Sequence, residues 1–197
     1  MPSKILVISG SAKNDGNTAA LIQWFTQGAR VNQAEVELVH AFRLNLKAFG
    51  CTSCRECQGR EGYECVINDD ISPVLKKMIE SDVIVMATPL YFFSATACLK
   101  AVIDRMFSLY KWNNQAGTFT TPLKGKTLVL LGSAYEDVGL EALAKPFELT
   151  ADYTGMAFLS FLVPNAGVSG DIRKMPGVSD KAMELGKKVS FRGSGAV

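Results

Sequence analysis

Four cysteines fall within fifteen residues, in the spacing Cys51-x2-Cys54-x2-Cys57-x7-Cys65. Thiolates three residues apart can wrap around one small metal cluster, with a more distant cysteine closing it. The spacing departs from the ferredoxin run, because its last gap is longer and Val66 rather than proline follows Cys65. Three readings stand: a [4Fe–4S] cluster, empty or redox-active thiols, and zinc. Zinc is the weakest of the three. It favours two separated pairs or added histidines, and the one histidine, His40, lies elsewhere and is assigned no role. Cys98, in an apolar helical stretch, reads as a small buried hydrophobe.

Two further segments have the composition of binding loops. The run from Ser9 through Gly10, Ser11 and Lys13 to Gly16, Asn17 and Thr18 joins a strand-like run to a helix. Its glycines allow close backbone approach, its hydroxyls, amide and ammonium supply donors, and a helix start supplies free N–H groups. This suits one terminal phosphate, although neither Gly-x-Gly-x-x-Gly nor the Walker pattern is present. The alternative is a plain turn with a helix cap at Asn17. The second segment is Pro89-Leu90-Tyr91-Phe92-Phe93, whose aromatic residues and stiff turn suit a flat ring, or else pack in the core. Ser133, Ala134 and Tyr135 follow a later strand and form a natural third wall.

The elements that must position these loops alternate. Strands are expected at 4–9, 34–39, 82–87, 127–131 and 157–163, and helices at 18–31, 71–79, 95–109, 140–154 and 180–189. Continuous apolar strands alternating with amphipathic helices predict an α/β domain. The expectation is a flavodoxin-like, doubly wound, five-stranded parallel sheet with helices on both faces and ligand at the carboxyl ends of the strands. One domain would span 1–191, with insertions at about 44–68 (the cysteines) and 108–122, and a flexible tail at 192–197.

Composition narrows the class. Of 197 residues, 21 are Lys or Arg and 19 are Asp or Glu, so the net charge of +2 argues against nucleic acid as a main partner. The apolar run after Lys4 is too short for an export signal or a membrane span. The expected setting is the cytoplasm, where clustered thiols stay reduced.

Read in order, Gly10-Ser11, Gly16-Asn17-Thr18, the cysteine block, Asp69-Asp70, Thr88 to Phe92, Leu99-Lys100 and Asp104-Arg105 resemble the NAD(P)H-dependent FMN reductase family. Within it, they resemble the iron–sulfur flavoprotein branch, over about residues 4 to 133. The resemblance implies FMN, with its phosphate on Ser11, Lys13, Asn17 and Thr18 and its ring on Pro89 to Phe92 and Ser133 to Tyr135. It also implies NAD(P)H as cosubstrate, a compact cluster on the four cysteines, and a homodimer or homotetramer.

No Ser–His–Asp or paired-carboxylate arrangement stands out, so no catalytic side chain is assigned and the chemistry falls to the cofactor. The leading expectation is an oxidoreductase delivering electrons to a quinone, nitro, azo or protein acceptor. The alternative is an electron carrier reduced by ferredoxin or another partner protein. Asp69 and Asp70 read as caps of the following helix, and Asp104-Arg105 as a local or intersubunit pair. The 108–122 insertion reads as a cover for the flavin or a contact with a neighbouring subunit.

Overall fold

The computed structural model describes residues 2–191, so the expected tail at 192–197 lies outside the described residues. The strands are β1 (Lys4–Ser9), β2 (Glu35–His40), β3 (Val83–Pro89), β4 (Lys111–Asn113), β5 (Thr118–Thr120), β6 (Thr127–Ser133) and β7 (Ala157–Val163). The α-helices are α1 (Asn17–Val31), α2 (Ile71–Glu80), α3 (Ala97–Arg105), α4 (Leu140–Thr154) and α5 (Val178–Ser190). Five strands form a parallel sheet in the order β2-β1-β3-β6-β7. This is the expected doubly wound arrangement. The order reverses between β1 and β3, which opens a crevice at their carboxyl ends.

The central strands are apolar on both faces because both faces are covered. Leu6, Ile8, Met86 and Leu130 join one core with α2, α3 and α4, while Ile5, Val7, Val85 and Leu131 join the other with α1 and α5. The helix stripe expected on α1, namely Leu21, Ile22, Phe25 and Ala29, is buried.

Three local differences from expectation matter. β3 and β6 run two residues further than their apolar cores, so Pro89 pairs with Ser133 and the two following loops start side by side. The third helix, expected over 95–109, is α-helical only from Ala97 to Arg105 and tightens to a 3-10 turn over Met106–Leu109. Its start is set by Thr96, which is extended and donates its N–H to Thr88 Oγ1 at 3.2 Å. The 108–122 insertion contains the hairpin β4–β5, whose three-residue strands are too short to show a period. Asn113 Oδ1 holds its turn by accepting from the N–H groups of Gln115 and Ala116.

Candidate functional site

The first loop and the helix after it are built for an anion. Gly16 is the N-cap of α1, no side chain caps the helix, and its first turn holds no acidic residue. The first N–H groups of α1 therefore carry the positive end of the dipole into the loop. Thr18 is buried in that first turn, whereas Lys13 is exposed at the rim. Ser11 Oγ accepts from the N–H of Lys13 at 3.2 Å, and buried Ser9 accepts from the N–H of Ser11 at 3.4 Å. Gly10 is required by contact. A Cβ there would lie 2.5 Å from Thr96 Oγ1 and 2.9 Å from Leu99 Cβ.

Asn17 differs from expectation in how it is used. It is the first residue of α1 rather than its cap, and its amide is already engaged. Nδ2 donates to the carbonyls of Ala166 and Val168, and Oδ1 accepts from the N–H groups of Gly170 and Ile172. Asn17 thus ties the first loop to the one after β7, and only its backbone N–H faces the helix start.

The second loop lies across the crevice. Gly10 donates its N–H to Ala87 O at 2.7 Å, and Thr96 Oγ1 donates to Gly10 O at 2.8 Å. Thr96 was not singled out from sequence, although a threonine just before a helix is an N-cap signal. Leu90 donates its N–H to Ser133 O, and Tyr91 and Ser94 exchange backbone hydrogen bonds around Phe92 and Phe93. Both phenylalanines have positive φ, 46° and 62°, as the central residues of a type I′ turn do. Bulky residues there cost about 1–3 kcal/mol each, so the surroundings hold the turn in place. Leu90 is half-buried, whereas Tyr91, Phe93 and Tyr135 are exposed and Phe92 is 99% exposed. Ser133 and Ala134 are buried beneath them. A larger groove of about 740 Å3 lies between the cysteine segment and α2. It is away from the strand ends where this fold takes ligands, so volume does not mark the site.

Residues 3–164 match the family described as NADPH-dependent FMN reductase. The chain belongs to that family. It is 36% identical over 103 residues to an iron–sulfur flavoprotein of Methanocaldococcus jannaschii, covering 52% of this chain and 51% of the relative. It is 28% identical over 192 residues to an iron–sulfur flavoprotein of Archaeoglobus fulgidus, covering 95% and 79%. The chain spans about half the length of the first curated relatives it matches. An FMN-dependent NADH-azoreductase of Bacillus anthracis, solved with FMN, superposes with a TM-score of 0.69 at 13% identity, over 96% of this chain and 100% of that one. At that identity the likeness shows the fold alone.

The uncapped, acid-free helix start fits the phosphate of the family's cofactor, FMN. The cysteines do not fit a cluster in the same way. Cys51 and Cys54 are exposed, Cys57 is buried and Cys65 is half-buried. Among the described residues no three His, Cys, Asp or Glu side chains come together to hold a metal ion. Cys57 Sγ accepts from Gln58 Nε2, and Cys65 Sγ accepts from Arg105 Nε at 3.2 Å. All four sulfurs are free thiols. Cys98 is only half-buried. Its sulfur lies 3.4 Å from both Thr96 Oγ1 and Gly10 O, so it touches the first loop rather than only filling the core.

The acidic pair and the basic residue of the family pattern anchor the cysteine segment. Arg105 grips Asp69 with two parallel bonds, Nη1–Oδ2 at 3.0 Å and Nη2–Oδ1 at 3.2 Å. Its Nη2 also donates to Ile67 O at 2.6 Å. Asp69 accepts the N–H groups of Lys47 and Ile71, and Asp70 accepts that of Asn45. The two acids therefore clasp both ends of the insertion; of the two expected caps only Asp69 serves the start of α2, whereas Asp70, at the N-cap position, makes no side-chain capping bond and gives its carboxylate to Asn45. Asp104 pairs locally with Lys100.

The hairpin docks on the cysteine segment. Gln58 bonds the backbone of Tyr110 and Trp112, Lys111 donates to the carbonyls of Cys57 and Arg60, and Tyr63 meets Thr120 at 3.1 Å. Behind them Tyr110, Trp112, Phe119 and Tyr153 form one aromatic cluster. Burial, with Tyr153 adding to it, pushes the Tyr110 hydroxyl up to about 12, so it stays neutral.

Proposed function

We propose that the protein is an FMN-dependent NAD(P)H oxidoreductase. It takes electrons from a nicotinamide cofactor and passes them to a quinone, nitro or azo compound, or to a redox protein. The observation that carries this reading is the meeting, at one switch point, of an uncapped, acid-free helix start with two aromatic-rimmed strand-end loops. Ser11, Lys13, Thr18 and the N–H groups beginning at Asn17 would hold the phosphate, with Ser9, Gly10 and Gly16 shaping the turn. Pro89 to Phe93 and Ser133 to Tyr135 would flank the ring. The N–H groups of Leu90 and Tyr91 are spent within the fold, which leaves those of Phe92 and Phe93 to face the ring's polar edge. Bound FMN would supply the two-electron chemistry.

Anaerobic mixing of the FMN-loaded protein with NADPH or NADH tests this. Bleaching of the flavin band with at least one nucleotide is expected. A flavin that stays oxidised with both, yet is reduced by ferredoxin, would replace this reading with the carrier alternative.

The exposed ring of Phe92, with Tyr91, Phe93 and Tyr135 around it, supports a second copy of the chain covering this edge. Light scattering should give a dimer or tetramer mass, and Phe92→Asp should shift it toward the monomer. A monomeric wild type at micromolar concentration would remove the idea. Among the described residues no helix is long and apolar enough to cross a membrane. The clustered free thiols support a cytoplasmic setting, where thiols stay reduced.

A further inference from the structure

Thr96 does not use its side chain as its place in the fold would suggest. It is the N-cap of α3, where a threonine hydroxyl ordinarily accepts from the first N–H groups of the helix. Here it makes no capping bond. Thr96 Oγ1 instead donates to Gly10 O at 2.8 Å, a residue 86 positions away in the first loop. Its backbone is held from both sides. The N–H donates to Thr88 Oγ1 at 3.2 Å, and the carbonyl accepts from the N–H of Lys100 at 3.0 Å. Thr88 Oγ1 in turn donates to Pro89 O at 2.8 Å, so the end of β3 and the start of α3 together aim the hydroxyl.

Gly10 needs such a hold. Contact with Thr96 and Leu99 excludes a Cβ there. A glycine imposed by contact leaves the peptide that follows it free to rotate. That peptide, Gly10–Ser11, is trans and planar, so its carbonyl and its N–H point in opposite directions. With Gly10 O turned to the start of α3, the Ser11 N–H is turned into the first loop. Its partner there is Ser9 Oγ at 3.4 Å, beyond the usual length of such a bond, so a stronger acceptor can displace it. Cys98 Sγ also lies 3.4 Å from Gly10 O, but a thiol is a weak donor.

We propose that Thr96 is a positioning residue for the cofactor: by holding Gly10 O, its hydroxyl aims the Ser11 N–H at the phosphate of FMN. The inference rests on the reading of the first loop as the phosphate site and adds to it a residue from the loop after β3. A phosphate accepting from a backbone N–H makes a charge-assisted bond, and that bond contributes most when the donor is fixed before binding. The Thr96 hydroxyl is engaged by Gly10 O, so it acts through the loop and not by contact with the cofactor.

Fluorescence titration of the full chain with FMN and, separately, with riboflavin tests this, because riboflavin lacks the phosphate. Thr96→Ala should lower FMN affinity by about tenfold, the scale of one hydrogen bond to a charged group. Riboflavin affinity should change little, so the FMN-to-riboflavin affinity ratio falls by the same factor. Thr96→Val, which lacks the hydroxyl but keeps the bulk, should lower the ratio alike. Thr96→Ser keeps the hydroxyl and drops the methyl, and should retain the wild-type ratio. Cys98→Ala should retain it too. Thermal unfolding of the flavin-free variants checks that each is folded, and no capping bond is lost in any of them.

A ratio unchanged in Thr96→Ala and Thr96→Val, with both flavins weakened equally or not at all, overturns the assignment. So does a ratio that falls as far in Thr96→Ser, or in Cys98→Ala, as in Thr96→Ala. Failure of the underlying reading looks different. A wild-type protein that binds FMN no more tightly than riboflavin would have no phosphate site in the first loop, and both ideas would fall together.

Discussion

Arg105→Met is expected to lower the unfolding free energy at pH 7 by about 3–5 kcal/mol. The Arg105 side chain is 0% exposed and that of Asp69 is 1%. A buried pair contributes little net stability against a well-packed apolar replacement of both partners, but removing one partner leaves the other charge uncompensated. Here the loss also frees Ile67 O, and Asp69 keeps only the backbone N–H groups of Lys47 and Ile71. Arg105→Lys should recover only part of the loss, because an ammonium cannot reproduce the two-pronged grip.

The pH dependence has opposite signs in the two proteins. Burial alone pushes the Asp69 carboxyl up, but the hydrogen bonds from Arg105 and from Lys47, the guanidinium charge and the bond from Ile71 outweigh it and hold it below the usual range. A depressed folded value stabilises the fold above the unfolded pKa of about 3.9, and that stability is lost as pH falls through the folded value. Without Arg105, burial dominates and the folded value rises. The remaining Asp69 then destabilises increasingly as pH climbs past about 4. Urea midpoints at pH 7 and pH 5 check the variant's claim, and a further midpoint at pH 3 checks the wild-type one. A variant with the wild-type midpoint at pH 7 would show that this pair does not anchor the cysteine segment.

Gly28→Ala should destabilise by about 3 kcal/mol, the upper part of the range for overpacking. On helix propensity alone the sign would be reversed, since alanine in a helix interior is favoured over glycine by about 1 kcal/mol. Packing decides against propensity here. A Cβ on Gly28 would lie 1.9 Å from the Met183 carbonyl oxygen, and one on Gly186 would lie 2.1 Å from that of Phe25. These obstacles are backbone, so α1 and α5 must separate along their whole contact. Gly186→Ala should behave alike, and the double variant should cost less than the sum of the two, because the helices separate once. Thermal and urea unfolding measure this. A Gly28→Ala protein as stable as wild type would mean the helices do not approach this closely.

Much of the frame was readable from residue types. All five sheet strands and all five helices were expected at nearly their observed positions, because central parallel strands must be apolar and their covering helices amphipathic. The first loop was legible through Gly10, Ser11 and Gly16-Asn17-Thr18 between a strand and a helix. The side-chain use of Asn17 was not, because its four partners lie about 150 residues away. Thr96 and Cys98 escaped notice as members of the first loop's surroundings, since contact with Gly10 depends on β1 and β3 being neighbours. The hairpin was hidden by strands three residues long.

By itself the sequence determined what is local: the period of each element, a glycine-bearing turn between a strand and a helix, and four thiols crowded along the chain. Those properties depend on residues a few positions apart. Tertiary structure alone decided which distant groups meet. It set the cysteine insertion against the β4–β5 hairpin through Gln58, Lys111 and Tyr63, and fastened it with Asp69 and Arg105. Among the described residues it brings no three His, Cys, Asp or Glu side chains together at one metal site, where the spacing had left a cluster, free thiols and zinc open. Spacing along a loop bounds how far apart two sulfurs can lie. Where they point follows from what the loop packs against, and here that is a buried ion pair and an aromatic cluster drawn from other parts of the chain.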